Sequence, residues 1–81
     1  MHAENIKQLI EAGLKGCTAI VSGDDGRHFS AMVISDAFSG KSRIQKQQLV
    51  YSTLGNHIAD GTIHALSIKT FTPEEWQNNK E

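Results

Sequence analysis

The sequence predicts an α+β fold with the element order αββαβα. Three observations predict it: two segments with apolar residues at helical spacing, three short segments rich in β-branched residues, and a helix start signal directly after the last of these. A helix between the second and third strands predicts a crossover connection, which makes those strands parallel. We therefore expect one domain over residues 1–81, a three-stranded mixed sheet with helices packed on it.

The first half of the chain is predicted to form a helix followed by a β-hairpin. Residues 3–15 carry an apolar face at helical spacing. Residues 17–22 and 28–35 are rich in strand-forming residues. The glycine- and aspartate-containing turn at 23–26 predicts that these two strands pair as an antiparallel hairpin. The apolar helix face consists of Ile6, Leu9, Ile10 and Leu14.

The middle of the chain is predicted to form a short break and then a second helix. The break covers residues 36–42 and includes Phe38, which we expect to be buried. Helical spacing returns over residues 41–59, although Gly55 is unfavourable inside a helix. The predicted buried face of this helix is Ile44, Gln47 or Gln48, Tyr51, Leu54 and Ile58.

The end of the chain is predicted to form a strand that runs directly into a capped helix. The strand is expected over residues 62–70. Thr72 suits the N-cap of the following helix, and Glu75 suits the third position of a capping box. Pro73 suits the first helical position. Phe71 and Trp76 are spaced as a hydrophobic staple across that cap.

The composition counts against several classes of partner and of protein without excluding nucleic acid. Eight basic and nine acidic residues give a net charge of −1, which provides no electrostatic attraction to nucleic acid or to an anionic membrane. No apolar run reaches the length of about 20 residues that a membrane helix needs. A single cysteine, Cys17, cannot form an internal disulfide, and we expect it to be a small buried residue. We expect a cytoplasmic protein.

Two histidines are brought to one edge of the sheet by the predicted topology. His28 begins the second strand and His64 lies near the start of the third, and parallel strands begin at the same sheet edge. Histidine is a common metal ligand, but two histidines do not complete a typical four-ligand site. The pair would suit a site that a partner completes. The alternative is that each histidine is a half-buried packing residue.

A basic cluster consists of Lys41, Arg43 and Lys46. It could contact phosphates, or it could be a solvated helix face. The GKS sequence at 40–42 is not a phosphate-binding loop, because position 35 is serine instead of the required glycine. No nucleophile–base set of residues has a supporting motif, so we expect a protein that is not an enzyme.

These residues together resemble the BolA-like family, and within it the IbaG branch. The resemblance covers residues 5–77, and the sequence from Ile63 to Trp76 is its most specific part, because it joins a strand histidine to a capped helix at fixed spacing. The matching stretches are HF at 28–29, VIS at 33–35, FSGKSR at 38–43, QQLVY at 47–51, IHALSIKT at 63–70 and TPEEW at 72–76.

The resemblance implies a fold similar to type II KH domains and partnership with a monothiol glutaredoxin. In that family the heterodimer holds a bridging [2Fe–2S] cluster, for which the glutaredoxin and glutathione supply thiolates. The strand-three histidine, here His64, is the implied ligand from this chain, and His28 is the matching candidate for a second one. The implied role is a non-enzymatic one in iron–sulfur and iron homeostasis and in stress response.

The alternative implied by the family is a KH-like nucleic-acid-binding transcriptional regulator that uses Lys41, Arg43 and Lys46. Two departures count against it: the middle helix has Lys46-Gln47-Gln48 where many members have an Arg-His-Arg-like stretch, and the chain has no GxxG loop. A homodimer is also left open. A third hypothesis is pH or stress sensing through titration of His28 and His64.

Overall fold

The helices and strands follow one another in the predicted αββαβα order. A computed structural model describes residues 2–14, 16–23, 28–57, 61, 63 and 65–79. Two short 3₁₀ turns, Asp36–Phe38 and Gly55–His57, flank the second α-helix. The main elements are α1 (Ala3–Gly13), β1 (Thr18–Ser22), β2 (His28–Ile34), α2 (Arg43–Thr53), β3 (Ala65–Phe71) and α3 (Pro73–Asn79).

The three strands form one mixed sheet in the order β1-β2-β3. The pair β1–β2 is antiparallel, with Thr18 opposite Ile34. The pair β2–β3 is parallel, with His28 opposite Ala65 and Ile34 opposite Phe71. Both orientations were predicted from the connections, so the expected mixed sheet is confirmed. The turn predicted at 23–26 lies outside the described residues except for Gly23.

Helices α1 and α2 cover one face of the sheet. Along β2 the buried residues alternate with exposed ones: Phe29 and Ala31 are buried, and His28 and Ser30 are exposed. The exposed side chains lie on the opposite face of the sheet, which we call the outer face. At the His28 end, α1 and α2 do not cover this outer face. The buried core consists of Ile6, Ile10, Leu14, Ala19, Phe29, Ala31, Val33, Phe38, Val50, Leu54 and Ile63.

The buried side of α2 differs from the predicted one. Ile44 is 69% exposed and Tyr51 is 39% exposed, whereas Val50 and Leu54 are fully buried. Successive helix positions lie about 100° apart, so a core that selects Val50 turns its neighbour Tyr51 outward. The predicted face was wrong at Ile44 and Tyr51 and correct at Leu54; Ile58 lies outside the described residues.

The boundaries of α2 are set by a cap and a glycine. Ser42 forms a capping box with Gln45: the Gln45 amide donates to Ser42 Oγ, and the Ser42 amide donates to Gln45 Oε1. Gly55 has a φ of 58°, which only glycine adopts readily. The α-helix is therefore shorter than the predicted range of 41–59.

The predicted cap of α3 is confirmed. The Thr72 amide donates to Glu75 Oε1 at 2.8 Å, and the Glu75 amide donates to Thr72 Oγ1 at 3.2 Å. Phe71 and Trp76 pack edge to face with ring centroids 5.3 Å apart. These contacts fix the direction in which the chain leaves β3. None of the helices in the described part of the chain has the length and apolar character needed to cross a bilayer.

Candidate functional site

His28 lies exposed on the outer face at the start of β2. Its register partner across the parallel pair is Ala65, the first residue of β3. Neighbouring strands lie about 4.8 Å apart, so the two residues begin the sheet side by side. In the sequence Ala65 directly follows His64, but His64 itself lies outside the described residues.

Gly23 allows the chain to pass very close to the start of β2. A Cβ atom at this position would lie 2.7 Å from the His28 carbonyl oxygen and 2.6 Å from Cδ1 of the Phe29 ring. A Cβ carbon does not approach other atoms that closely, so any residue other than glycine at position 23 would force His28 or Phe29 to shift. The sequence suggested only a turn here; the close approach depends on tertiary packing.

A row of three serines crosses the outer face beside His28. Ser22 pairs with Ser30, and Ser30 pairs with Ser67, so one serine from each strand lies in the same row. All three are exposed. Their hydroxyl groups can both donate and accept hydrogen bonds, which makes this part of the face suitable for a polar partner. Sequence reasoning did not identify this row, although the alternation of polar and apolar residues in β2 and β3 carries the signal.

The predicted basic cluster is divided by the structure. Arg43 and Lys46 line a groove between α2 and β3, and Lys69 of β3 lines the same groove. Lys41 instead lines a separate depression beside Gln45 and Leu49. The three predicted cations therefore line two different depressions. Lys69 was missed because it is far from Arg43 in sequence and joins it only through the packing of α2 against β3.

Cys17 lies at the opposite end of the hairpin from His28. It precedes Thr18, which pairs with Ile34 at the far end of β2. Its side chain is half-buried and packs against the core. Burial raises the pKa of the Cys17 thiol above its ordinary value, and the nearby Glu11 carboxylate acts in the same direction. These features favour a neutral thiol that packs like a small apolar residue, although the side chain is half-buried where burial was predicted.

The remaining histidines lie elsewhere on the molecule. His2 precedes α1, and its backbone amide donates to Asn5 Oδ1 at 3.0 Å. His57 belongs to the 3₁₀ turn after α2 and is half-buried. Its Nδ1 atom is buried without a hydrogen-bond partner among the described residues.

The described residues include no group of three or more histidine, cysteine or acidic side chains that could hold a metal ion.

Comparisons with known proteins agree with this fold. The model of the BolA-like protein family matches residues 2–75. The acid stress protein IbaG of Escherichia coli K12 is 49% identical over 81 residues, which are 100% of this chain and 95% of that protein. The chain therefore belongs to the BolA-like family, as the sequence resemblance predicted.

Solved structures support the same assignment. A BolA protein homologue from Coxiella burnetii superposes with a TM-score of 0.85 at 42% identity, covering 95% of this chain and 97% of that one. The BolA domain of SufE1 from Arabidopsis thaliana superposes with a TM-score of 0.74 at 33% identity, covering 90% and 93% of the two chains. The α+β architecture is thus shared with BolA proteins.

Proposed function

We propose that this protein is a non-enzymatic adaptor that binds a monothiol glutaredoxin and shares a bridging [2Fe–2S] cluster with it. His64 is the proposed principal ligand from this chain, and His28 is the proposed second one. The partner's thiolates and glutathione would complete the set. The observation that carries the proposal is the register of His28 with Ala65, the residue that follows His64 in the chain.

The covalent chain supports a joint role for the two histidines. Consecutive Cα atoms are about 3.8 Å apart, so His64 is one residue away from the register partner of His28. His28 is exposed on a face that α1 and α2 leave uncovered. A partner can therefore approach this imidazole without disturbing the core.

The donor chemistry fits an iron–sulfur cluster. Neutral imidazole nitrogen is a known cluster ligand, and its replacement of thiolate on iron raises the reduction potential. Cys17, the one thiol of the chain, lies at the other end of the hairpin. The serine row (Ser22, Ser30 and Ser67) offers hydrogen-bonding groups to a partner beside the histidines. Family membership adds support, because the chain matches the BolA-like model over most of its length.

The test is anaerobic assembly of the protein with a monothiol glutaredoxin, glutathione, iron and sulfide, followed by visible absorption and circular dichroism. We expect the spectrum of the mixed complex to differ from that of the glutaredoxin homodimer. His64→Ala should abolish this difference, and His28→Ala should reduce it. His2→Ala is the matched control, since it removes an imidazole outside the sheet edge. A spectrum unchanged by His64→Ala would refute the ligand assignment.

A further inference from the structure

One edge of the sheet, along β3, has backbone groups that are directed away from the neighbouring strand. The Ser35 amide donates to the Phe71 carbonyl oxygen at 2.9 Å. This hydrogen bond shows that the backbone groups of Phe71 point toward β2. Because alternate residues of a strand face opposite neighbours, the backbone groups of Ile68 and Thr70 point away from β2. No strand among the described residues pairs with this side of β3.

The other edge of the sheet is closed by a side chain. The Ala19 amide, which faces away from β2, donates to Glu11 Oε2 at 3.0 Å. Lys7 Nζ lies 2.6 Å from the same carboxylate oxygen. A charged side chain that occupies an edge amide blocks the addition of another strand. The two edges therefore differ: β1 is protected where it meets α1, and β3 is open.

A groove runs along the open edge. It has a volume of about 420 Å³ and is bounded on one side by β3 and on the other by α2. Ile68 forms part of its apolar floor, because it is half-buried against the core. A groove between a helix and an edge strand is the arrangement in which some domains bind an extended peptide as an added strand.

The groove is basic. Arg43 and Lys46 line it from α2, and Lys69 lines it from β3. Lys46 is also close enough to Glu75 to help lower the pKa of that carboxyl group, after the larger effect of the Thr72 amide. The lining residues include three cations and no acidic side chain, on a chain whose net charge is −1.

We propose that this groove binds an extended acidic segment of a partner protein, which adds to β3 as a further strand. The backbone groups of Ile68 and Thr70 would pair with the peptide backbone, and acidic side chains on alternate faces of the peptide would meet Lys69 and the two cations of α2. The groove is separate from the proposed cluster site. Along β3, Ile68 lies about 10 Å from Ala65, and Phe71 lies about 20 Å from it.

Two other occupants fit the groove less well. A nucleic acid would satisfy the cations, but it has no repeating amide and carbonyl groups to match the strand edge. A second copy of this chain paired edge to edge about a twofold axis would bring Lys69 near its own symmetry mate. Like charges directly opposite one another across a strand pair are destabilising.

The experiment uses a fluorescent peptide of about six residues, the usual length of a strand, with glutamates at successive central positions so that carboxylates lie on both of its faces. Binding is measured by fluorescence anisotropy at low salt. A second peptide of the same sequence carries an N-methyl group on every amide, so its charge is unchanged and neither of its edges can donate a ladder hydrogen bond. We expect saturable binding of the first peptide and binding about tenfold weaker for the second.

Protein variants test the charges. Arg43→Glu and Lys69→Glu should each weaken binding of the first peptide by about tenfold at low salt. Lys41→Glu is the matched control, since it makes the same change of charge on a residue outside the groove, and it should have little effect. Circular dichroism checks that all three variants are folded.

Three results would overturn the proposal. Equal binding of the two peptides would show that attraction of charges alone holds them. Binding of a short DNA duplex that Arg43→Glu abolishes, without binding of the peptide, would favour nucleic acid. Self-association that Lys69→Glu abolishes, again without binding of the peptide, would favour a second copy of the chain.

Discussion

His28 and Ala65 lie in register as the first residues of two parallel strands. The parallel orientation follows from the helical crossover between β2 and β3, and the register follows from the alternation of buried and exposed residues in each strand. This relationship brings a residue next to His64 in the chain level with His28. It is the structural basis of the proposed shared cluster.

The first prediction concerns the close approach of Gly23 to β2. Gly23→Ala should destabilise the protein by about 1–3 kcal/mol, because the new methyl group collides with the His28 carbonyl and the Phe29 ring. It should also shift the NMR signals of the His28 imidazole.

Gly40→Ala is the control for this variant. Gly40 has a φ of 75° but open space around it, so the change should cost about 1–2 kcal/mol of backbone strain. The His28 signals should stay in place. Equal shifts of the His28 signals in both variants would contradict the positioning role of Gly23.

The second prediction tests which side of α2 is buried. Leu54→Ala should lower the free energy of unfolding by about 2–5 kcal/mol, because the side chain is fully buried. Ile44→Ala removes a side chain of similar size that is 69% exposed, so its effect should stay within about 0.5 kcal/mol. Urea denaturation measures both. Similar losses in the two variants would mean that Ile44 is part of the core.

The third prediction concerns the pH dependence of stability. The Thr72 amide, and secondarily Lys46, hold the pKa of Glu75 below its ordinary value in the folded protein. The unfolded chain therefore binds the proton more readily. The contribution of Glu75 is present above about pH 4.3 and is lost as the pH falls through the folded-state pKa.

Glu75→Gln should thus make the loss of stability between about pH 5 and pH 3 shallower, as measured by urea denaturation at each pH. Glu74→Gln is the control, because Glu74 is also in the first turn of α3 but does not form the capping box. The interpretation fails if both substitutions change the slope equally.

The fourth prediction concerns the single thiol. Because burial and Glu11 raise the pKa of Cys17, its alkylation at neutral pH should be slower in the native protein than in urea. Cys17→Ser should leave the visible spectrum of the glutaredoxin complex unchanged, since Cys17 lies at the far end of the hairpin from His28. A changed spectrum would make Cys17 a candidate ligand.

Local signals predicted the fold well. The cap formed by Thr72 and Glu75 could be predicted because its hydrogen bonds join residues close in sequence. The parallel pairing of β2 and β3 could be predicted because a helical crossover has few solutions. The buried side of α2 could not, since both Ile44 and Val50 are apolar and only contact with α1 and the sheet selects Val50.

The topology around the candidate site could be predicted in part. The order of the elements predicted that His28 begins one strand and that His64 lies near the start of a parallel one. The structure confirms the position of His28. The grouping of Lys69 with Arg43 depends on how α2 crosses the edge of the sheet, which the sequence does not encode locally. The closeness of Gly23 to the Phe29 ring likewise depends on packing between segments.

The most direct test of the proposed cluster is a search for nitrogen ligands by electron–nuclear double resonance. The mixed complex with glutaredoxin would be assembled anaerobically, reduced by one electron and frozen. We expect hyperfine coupling to imidazole nitrogen in the unsubstituted complex and in His2→Ala, weaker coupling in His64→Ala, and none in the double variant His28→Ala with His64→Ala. A cluster with coupling to no nitrogen in the unsubstituted complex, or with full coupling in the double variant, would contradict the proposed ligands.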